Sequence, residues 1–326
     1  MLELGEAVGY FRPDIVTTVA YTCPFVPAEW ITAHGLEPRP IRPRPGHGCR
    51  QMASGLGICP FAQAFIAEAA SGEHGAVVFT TTCDQMRRAA EAAELTARCP
   101  IFLMNIPATW QTATARRMFR DEVARLGRFL TALGGRSPSS EDLAAAMLEP
   151  KVQREGSCRV SAARPDGGDG VQPVRVALVG SHRMAASVEL EDVVASAGGQ
   201  IVLEATPSGE LGLGPHFERE QLGADPFGTL VNAYFDTIPD VFRRPNTRLY
   251  EWLALRLAER QVRGIIFRHY LWCDLWHAEA QRLKEWSPLP VLVLEAGDEE
   301  GVSTQNASRI QAFMEILHGN SFPHSA

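Results

Sequence analysis

What most constrains this chain is its alternation of short β-branched runs with segments of helical period. Ile15 to Tyr21 is β-branched, and Pro27 to Gly35 after it reads as a helix with Pro in its first turn and Gly at its end. Ala76 to Thr82 predicts a second strand, followed by an Ala-, Glu- and Arg-rich helix over Asp84 to Leu95. Ile101 to Ile106 predicts a third, and from about Thr112 apolar residues recur every three or four positions until Gly134-Gly135. A second series follows: strands at Val174–Gly180, Gln200–Glu204, Gly264–Tyr270 and Val291–Glu295, with helices over roughly Ala185–Ala197, Pro226–Ile238, Asp274–Trp286 and Gln305–Leu317. Such alternation predicts parallel sheets covered by helices.

Between the two series, residues 136–172 carry one short capped helix (SPSSEDLAAAMLE) and then an aperiodic Gly, Ser, Pro and Asp stretch that reads as a linker. A chain of 326 residues has room for two domains. The expected organisation is an N-terminal α/β domain over 1–135, a short helix and linker over 136–172, and a second α/β domain over 173–326. Each would be a mostly parallel sheet flanked by helices, of Rossmann or flavodoxin-like type. A net charge of −7 with no Lys/Arg-rich run argues against a nucleic-acid surface. No stretch approaches the roughly 18 consecutive apolar residues of a membrane span, and residues 1–13 lack the basic-then-apolar pattern of a signal peptide. A cytoplasmic location is therefore expected.

There are seven cysteines, an odd number that in such a chain reads as thiols or metal ligands rather than as a disulfide framework. Four of them, Cys23, Cys59, Cys83 and Cys273, each stand just before a helix, and Cys23, Cys83 and Cys273 also follow a strand. The carboxyl ends of parallel strands gather along one edge, where ligand sites form, and a helix N-terminus lowers a thiol pKa. Each of the four taken alone is as well read as a small apolar filler. Cys49, Cys99 and Cys158 lack this context and read as structural, and no Cys-x-x-Cys pair points to a zinc ribbon. Three thiolates suit a four-iron four-sulfur cube whose fourth iron stays open, able to act as Lewis acid and as one-electron donor.

At these residues the chain resembles the 2-hydroxyacyl-CoA dehydratase and benzoyl-CoA reductase D-component family. The resemblance rests on residues 21–40 with a Cys-x-x-x-Pro-x-Glu box, ICPFAQAF (58–65), VVFTTTCDQMRRAAE (77–91), IFLMNIPATW (101–110), GIIFRHYLWCDLW (264–276) and residues 290–317. It implies that Cys59, Cys83 and Cys273 hold a 4Fe-4S cluster, with Cys23 beside the site as a further candidate ligand. Because two ligands come from the first half and one from the second, the cluster would lie in the cleft between the domains. The resemblance also implies an acyl-CoA substrate, a related second subunit or a homodimer, and a separate ATP-dependent iron-sulfur activator that injects a low-potential electron. That electron would drive radical dehydration or reduction of the acyl-CoA; the chain has no phosphate loop of the Gly-x-x-x-x-Gly-Lys-Ser/Thr type for hydrolysing ATP itself. The chain departs from the family in being shorter around 136–172 and between Cys59 and Cys83, and in having Thr304-Gln305 where Gly-Gln is usual.

Glu29 and His269 are the candidate catalytic side chains. Glu29 would orient the pocket or cap its helix, and His269, with His277 flanking Cys273, would transfer protons or pack. Gly180-Ser181-His182 offers a phosphate-binding turn or a plain tight turn. Arg243, Arg244 and Arg248 would clasp phosphates or form a solvated basic face. Asp84 and Asp274 read as helix caps. Two other functions compete: a non-catalytic accessory or scaffold subunit with a structural metal, and an ATP-dependent reductase of a small non-CoA molecule.

Overall fold

A computed structural model describes residues 17–45, 57–149, 172–185, 190–297 and 301–319. Cys49, Cys158 and most of the expected linker lie outside the described residues. The first sheet contains β1 (Thr18–Tyr21), β2 (Glu37–Pro40), β3 (Ala76–Thr80) and β4 (Ile101–Met104), all parallel, in the order β2-β1-β3-β4. The second contains β5 (Val174–Gly180), β6 (Gly199–Ala205), β7 (Gly264–Tyr270) and β8 (Val291–Ala296), also parallel, in the equivalent order β6-β5-β7-β8. Strand order reverses between β1 and β3 and again between β5 and β7. In open parallel sheets such reversals leave a crevice outside the carboxyl ends of the two central strands.

Strand β2 is not anticipated by the sequence pattern, because two of its four residues are prolines. It is an edge strand, and the pleat resolves the conflict. The amides of Glu37 and Ile41 donate to the carbonyls of Thr17 and Tyr21 (3.1 and 2.9 Å), while Pro38 and Pro40 fall at the alternate positions, where no donor to β1 is needed.

Local chemistry sets the helix ends. Helices α1 (Ala28–Ala33), α2 (Pro60–Ser71) and α3 (Asp84–Ala93) follow β1, precede β3 and follow β3. Helix α2 begins on Cys59 with Pro60 at its first position and stops at Gly72, whose φ of 78° is left-handed. Helix α4 (Ala113–Ala132) is capped by the Thr112 hydroxyl, and α5 (Ser140–Leu148) by a reciprocal Ser139/Asp142 box. The rest are α6 (Leu190–Ser196), α7 (Arg219–Leu222), α8 (Pro226–Thr237), α9 (Thr247–Glu259), α10 (Asp274–Trp286) and α11 (Thr304–Gly319). Helix α9 is absent from the sequence-derived order, although Leu249, Tyr250, Leu253 and Leu257 carry helical spacing and are its buried residues.

Each sheet is sandwiched. Val19, Tyr21, Ala76 and Val78 of the first sheet face Ile31 of α1 and Phe119, Leu126 and Leu130 of α4, whereas Ala20, Val77 and Phe79 face Phe65 of α2 and Ala89 of α3. The second sheet packs Val179, Leu203 and Phe267 against α9 and α10, and Val176, Leu178 and Ile266 against α6 and α11. Helix α8 follows β6 in sequence yet packs Leu230, Val231, Tyr234 and Phe235 into the first sheet's core. Arg116 of α4 grips Asp236 at its end with two bonds of 2.5 and 2.9 Å. The connection between β6 and β7 thus crosses to the other sheet and returns.

Candidate functional site

The carboxyl edges of the two sheets meet. Met184, Tyr270 and Ala296, all at or just past the ends of second-sheet strands, share one apolar core with Ile41, Ile58, Cys59 and Phe61 from the first half, and Cys83 and Cys273 pack against it. Three cysteines from three loops thus line a common apolar environment.

Each occupies the N-cap of a helix. The sulfur of Cys59 accepts the Ala62 amide and that of Cys83 accepts the Met86 amide, both at 3.4 Å, and Cys273 stands at the N-cap of α10 without such a bond. Gln85 ties two of them together, its side-chain oxygen accepting the Cys59 amide at 2.7 Å from the first turn of α3. Burial dominates the electrostatics. It pushes the Cys83 thiol up to about 12 and Cys273 to about 11, against modest lowering by helix N–H groups. Cys59 is raised as well, by burial first and then by its two companions, Cys273 and Cys83. The three thiols therefore stand within electrostatic reach of one another. Among the described residues no three His, Cys, Asp or Glu side chains gather tightly enough to hold a single metal ion.

Cys23 is different. It belongs to the core on the opposite face of the first sheet, and its buried thiol, pushed up to about 11, bonds to Thr80 and Thr82. Its electrostatic neighbour is Asp240, which also acts on Cys83. Cys99 directs its thiol to the Ala69 carbonyl (3.7 Å), away from the meeting edges.

Glu29 is buried in α1 and accepts the Tyr234 hydroxyl of α8 at 2.6 Å, which binds the crossing helix to the first domain; burial and then the Glu29 carboxylate raise the Tyr234 pKa. His269, buried in β7, directs Nδ1–H to the Tyr270 carbonyl (3.2 Å) and meets the His277 ring edge-on at 5.2 Å. Burial lowers its pKa, so the ring is neutral near pH 7 with Nε2 as its basic nitrogen.

The Gly180 turn is a close crossing of backbones. Gly180 has a φ of 144°, and a Cβ there would stand 1.9 Å from the Arg268 carbonyl oxygen. The amides that a phosphate would need are already committed: Ser181 to Arg268 O, Arg183 to the Ser208 hydroxyl, Met184 to the Tyr270 hydroxyl and Ala185 to Pro43 O. The arginines are committed too. Arg243 is buried under Phe25 and Phe235 and donates to Pro107 and Phe235 carbonyls, Arg244 to Val241 and Arg243 carbonyls, and Arg248 to the Asp236 carbonyl across the face of Trp110. Buried Arg243 fastens the returning connection onto the loops after β1 and β4, while Arg244 is exposed and Arg248 half-buried, so the three do not converge as a phosphate clasp.

That connection also delivers a residue with no sequence signal. Asp240 is buried, accepts the Phe242 amide on Oδ1 at 2.7 Å, and acts electrostatically on both Cys23 and Cys83. Burial raises its carboxyl from 3.8 to about 6 despite Arg243 and Arg244 nearby. An Ile-Pro-Asp loop reads as an ordinary turn, and only the crossing of α8 brings it over the first sheet's edge.

No curated protein matches the chain significantly. A family model does, in two overlapping segments, residues 23–167 and 155–317, which between them include every strand but β1 and all three N-cap thiols. The chain belongs to the 2-hydroxyglutaryl-CoA dehydratase D-component family.

Proposed function

We propose that this protein is the iron-sulfur subunit of a 2-hydroxyacyl-CoA dehydratase-type enzyme, with Cys59, Cys83 and Cys273 as the ligands of a 4Fe-4S cluster. The observation that carries the proposal is the convergence of three N-cap thiols from two sheets, Cys59 buried and Cys83 and Cys273 partly buried, into one environment where Cys273 and Cys83 raise the Cys59 pKa and Cys273 raises that of Cys83. Three thiols from separate loops suit a polynuclear group that leaves one iron open, whereas a structural zinc is held by four ligands. Such a cluster supplies a low-potential electron and one open iron. Thiols raised this far are protonated when empty, so loading must expel their protons.

The chain's own residues do the rest. The apolar shell of Ile58, Phe61, Met184 and Tyr270 excludes water from the thiols. Removal of water from a 2-hydroxyacyl thioester requires one proton delivered to the departing hydroxyl and one taken from the neighbouring carbon. Asp240, its carboxyl raised to about 6, holds a proton at mildly acidic pH, on Oδ2, because Oδ1 accepts from Phe242. His269, neutral, is the complementary proton acceptor at Nε2. Cys23 and Glu29 act as structural neighbours in this reading. Membership of a D-component family supports an enzyme of more than one kind of subunit, with a separate ATP-dependent activator as electron source.

Anaerobic purification tests the proposal. We expect brown protein with about four irons and four sulfides per chain and broad absorbance near 400 nm, lost in Cys59→Ala, Cys83→Ala and Cys273→Ala. Asp240→Asn should keep the iron and lose turnover. Colourless protein with one zinc, or full iron in all three cysteine variants, would overturn the assignment.

A further inference from the structure

The crevice between β5 and β7 is where an open parallel sheet binds its ligand, yet in this protein the chain itself fills it. The His182 ring lies flat on Phe61 (centroids 4.5 Å apart, planes at 14°), and Phe61 stacks on Tyr270 (6.3 Å, 27°). The guanidinium of Arg268 lies over the Tyr270 ring, 4.5 Å from its centre. Hydrogen bonds close the same joint: the Tyr270 hydroxyl accepts the Met184 amide (3.1 Å), Arg42 donates to the Met184 carbonyl (2.9 Å), and the Ala185 amide donates to Pro43 (3.0 Å). Phe61 is two residues past Cys59, and Tyr270 is three residues before Cys273.

We propose that the His182–Phe61–Tyr270 column is a positioning clamp that fixes the separation of Cys59 and Cys273, the two thiols that come from different sheets. The inference rests on the ligand reading above. No backbone segment of either sheet links these two cysteines. What spans the joint is a stack whose two inner rings are each within one helical turn of a thiol. A rigid pair of rings transmits position where a flexible aliphatic contact would not. The second sheet's crevice has thereby exchanged ligand binding for holding a site that both sheets build.

The test is residue-specific alkylation of the full-length apoprotein by iodoacetamide, followed by mass spectrometry, in His182→Ala and Tyr270→Leu. We expect Cys59 and Cys273 to react about tenfold faster, with Cys99 unchanged, and His182→Phe to restore the original rates by restoring a flat ring. Leu130→Ala, in the first sheet's far core, controls for general loosening and should show no such selectivity. In reconstituted protein the two clamp variants should lose iron to a chelator about tenfold faster at similar helix content. Equal acceleration at Cys99, or no acceleration at Cys59 and Cys273, would overturn the clamp. If the parent protein takes up no iron, the ligand reading falls while the alkylation rates still decide the clamp.

Discussion

Trp272 shows how one residue carries strain beside the site. The Cys273 amide donates to the Tyr270 carbonyl (3.0 Å), closing a turn in which Trp272 has a φ of 67°, a place that type II turns reserve for Gly. Its side chain is 55% exposed, so packing in the chain returns little for the strain. Trp272→Gly should therefore raise the unfolding free energy by about 1 kcal/mol, measured by urea titration. An unchanged or lower value would mean that the indole packs more firmly than its exposure indicates. The place of Cys59, Cys83 and Cys273 before helices is legible in the sequence, and their shared environment is not. Cys23 has the same local signature and lies in the other core, because alternation along β1 and β3 assigns neighbouring residues to opposite faces.

At the scale of elements, the apolar strands were the most readable part. Val174–Gly180 and Gly264–Tyr270 coincide with their sequence-derived limits, since strands buried on both faces are continuous apolar runs with sharp ends. Edge strand β2 was illegible because its prolines are tolerated only through a pairing register that the sequence does not display. The pairing of β5 with β7 depends on the missing side chain at Gly180. Gly180→Ala should cost more than about 3 kcal/mol, because the added carbon meets the Arg268 backbone and not a side chain that can turn aside. Thermal unfolding would show it, and a shift of only a degree or two would mean that the strands can separate cheaply.

For the molecule as a whole, the buried thiols set the pH response. Burial raises the folded-state values of Cys23, Cys83 and Cys273 from the ordinary 9.0 to about 11 or 12, so the folded apoprotein keeps protons that the unfolded chain releases. Stability should then be full below about pH 9 and fall as pH rises from 9 toward 11, with Cys23 alone contributing on the order of 2 kcal/mol of the loss. Unfolding midpoints between pH 7 and 10.5 check this, and Cys23→Ala should flatten the slope. Metal-held thiolates carry no proton, so iron-loaded protein should respond less steeply, and a flat profile for the apoprotein would contradict the burial found for these groups.

The sequence by itself determined two α/β units and their parallel sheets, and put cysteines at the ends of strands, because period, β-branching and capping act over a few residues. No helix among the described residues is long and apolar enough to cross a membrane, in keeping with the absence of such a run in the sequence. Only the tertiary structure decided that α8 crosses to the other sheet, that Asp240 thereby comes within reach of Cys83, and that the crevice after β5 is closed by a ring stack. Each of these depends on which apolar faces meet across long sequence separations, and that is settled by shape and burial summed over the whole chain rather than by any local pattern.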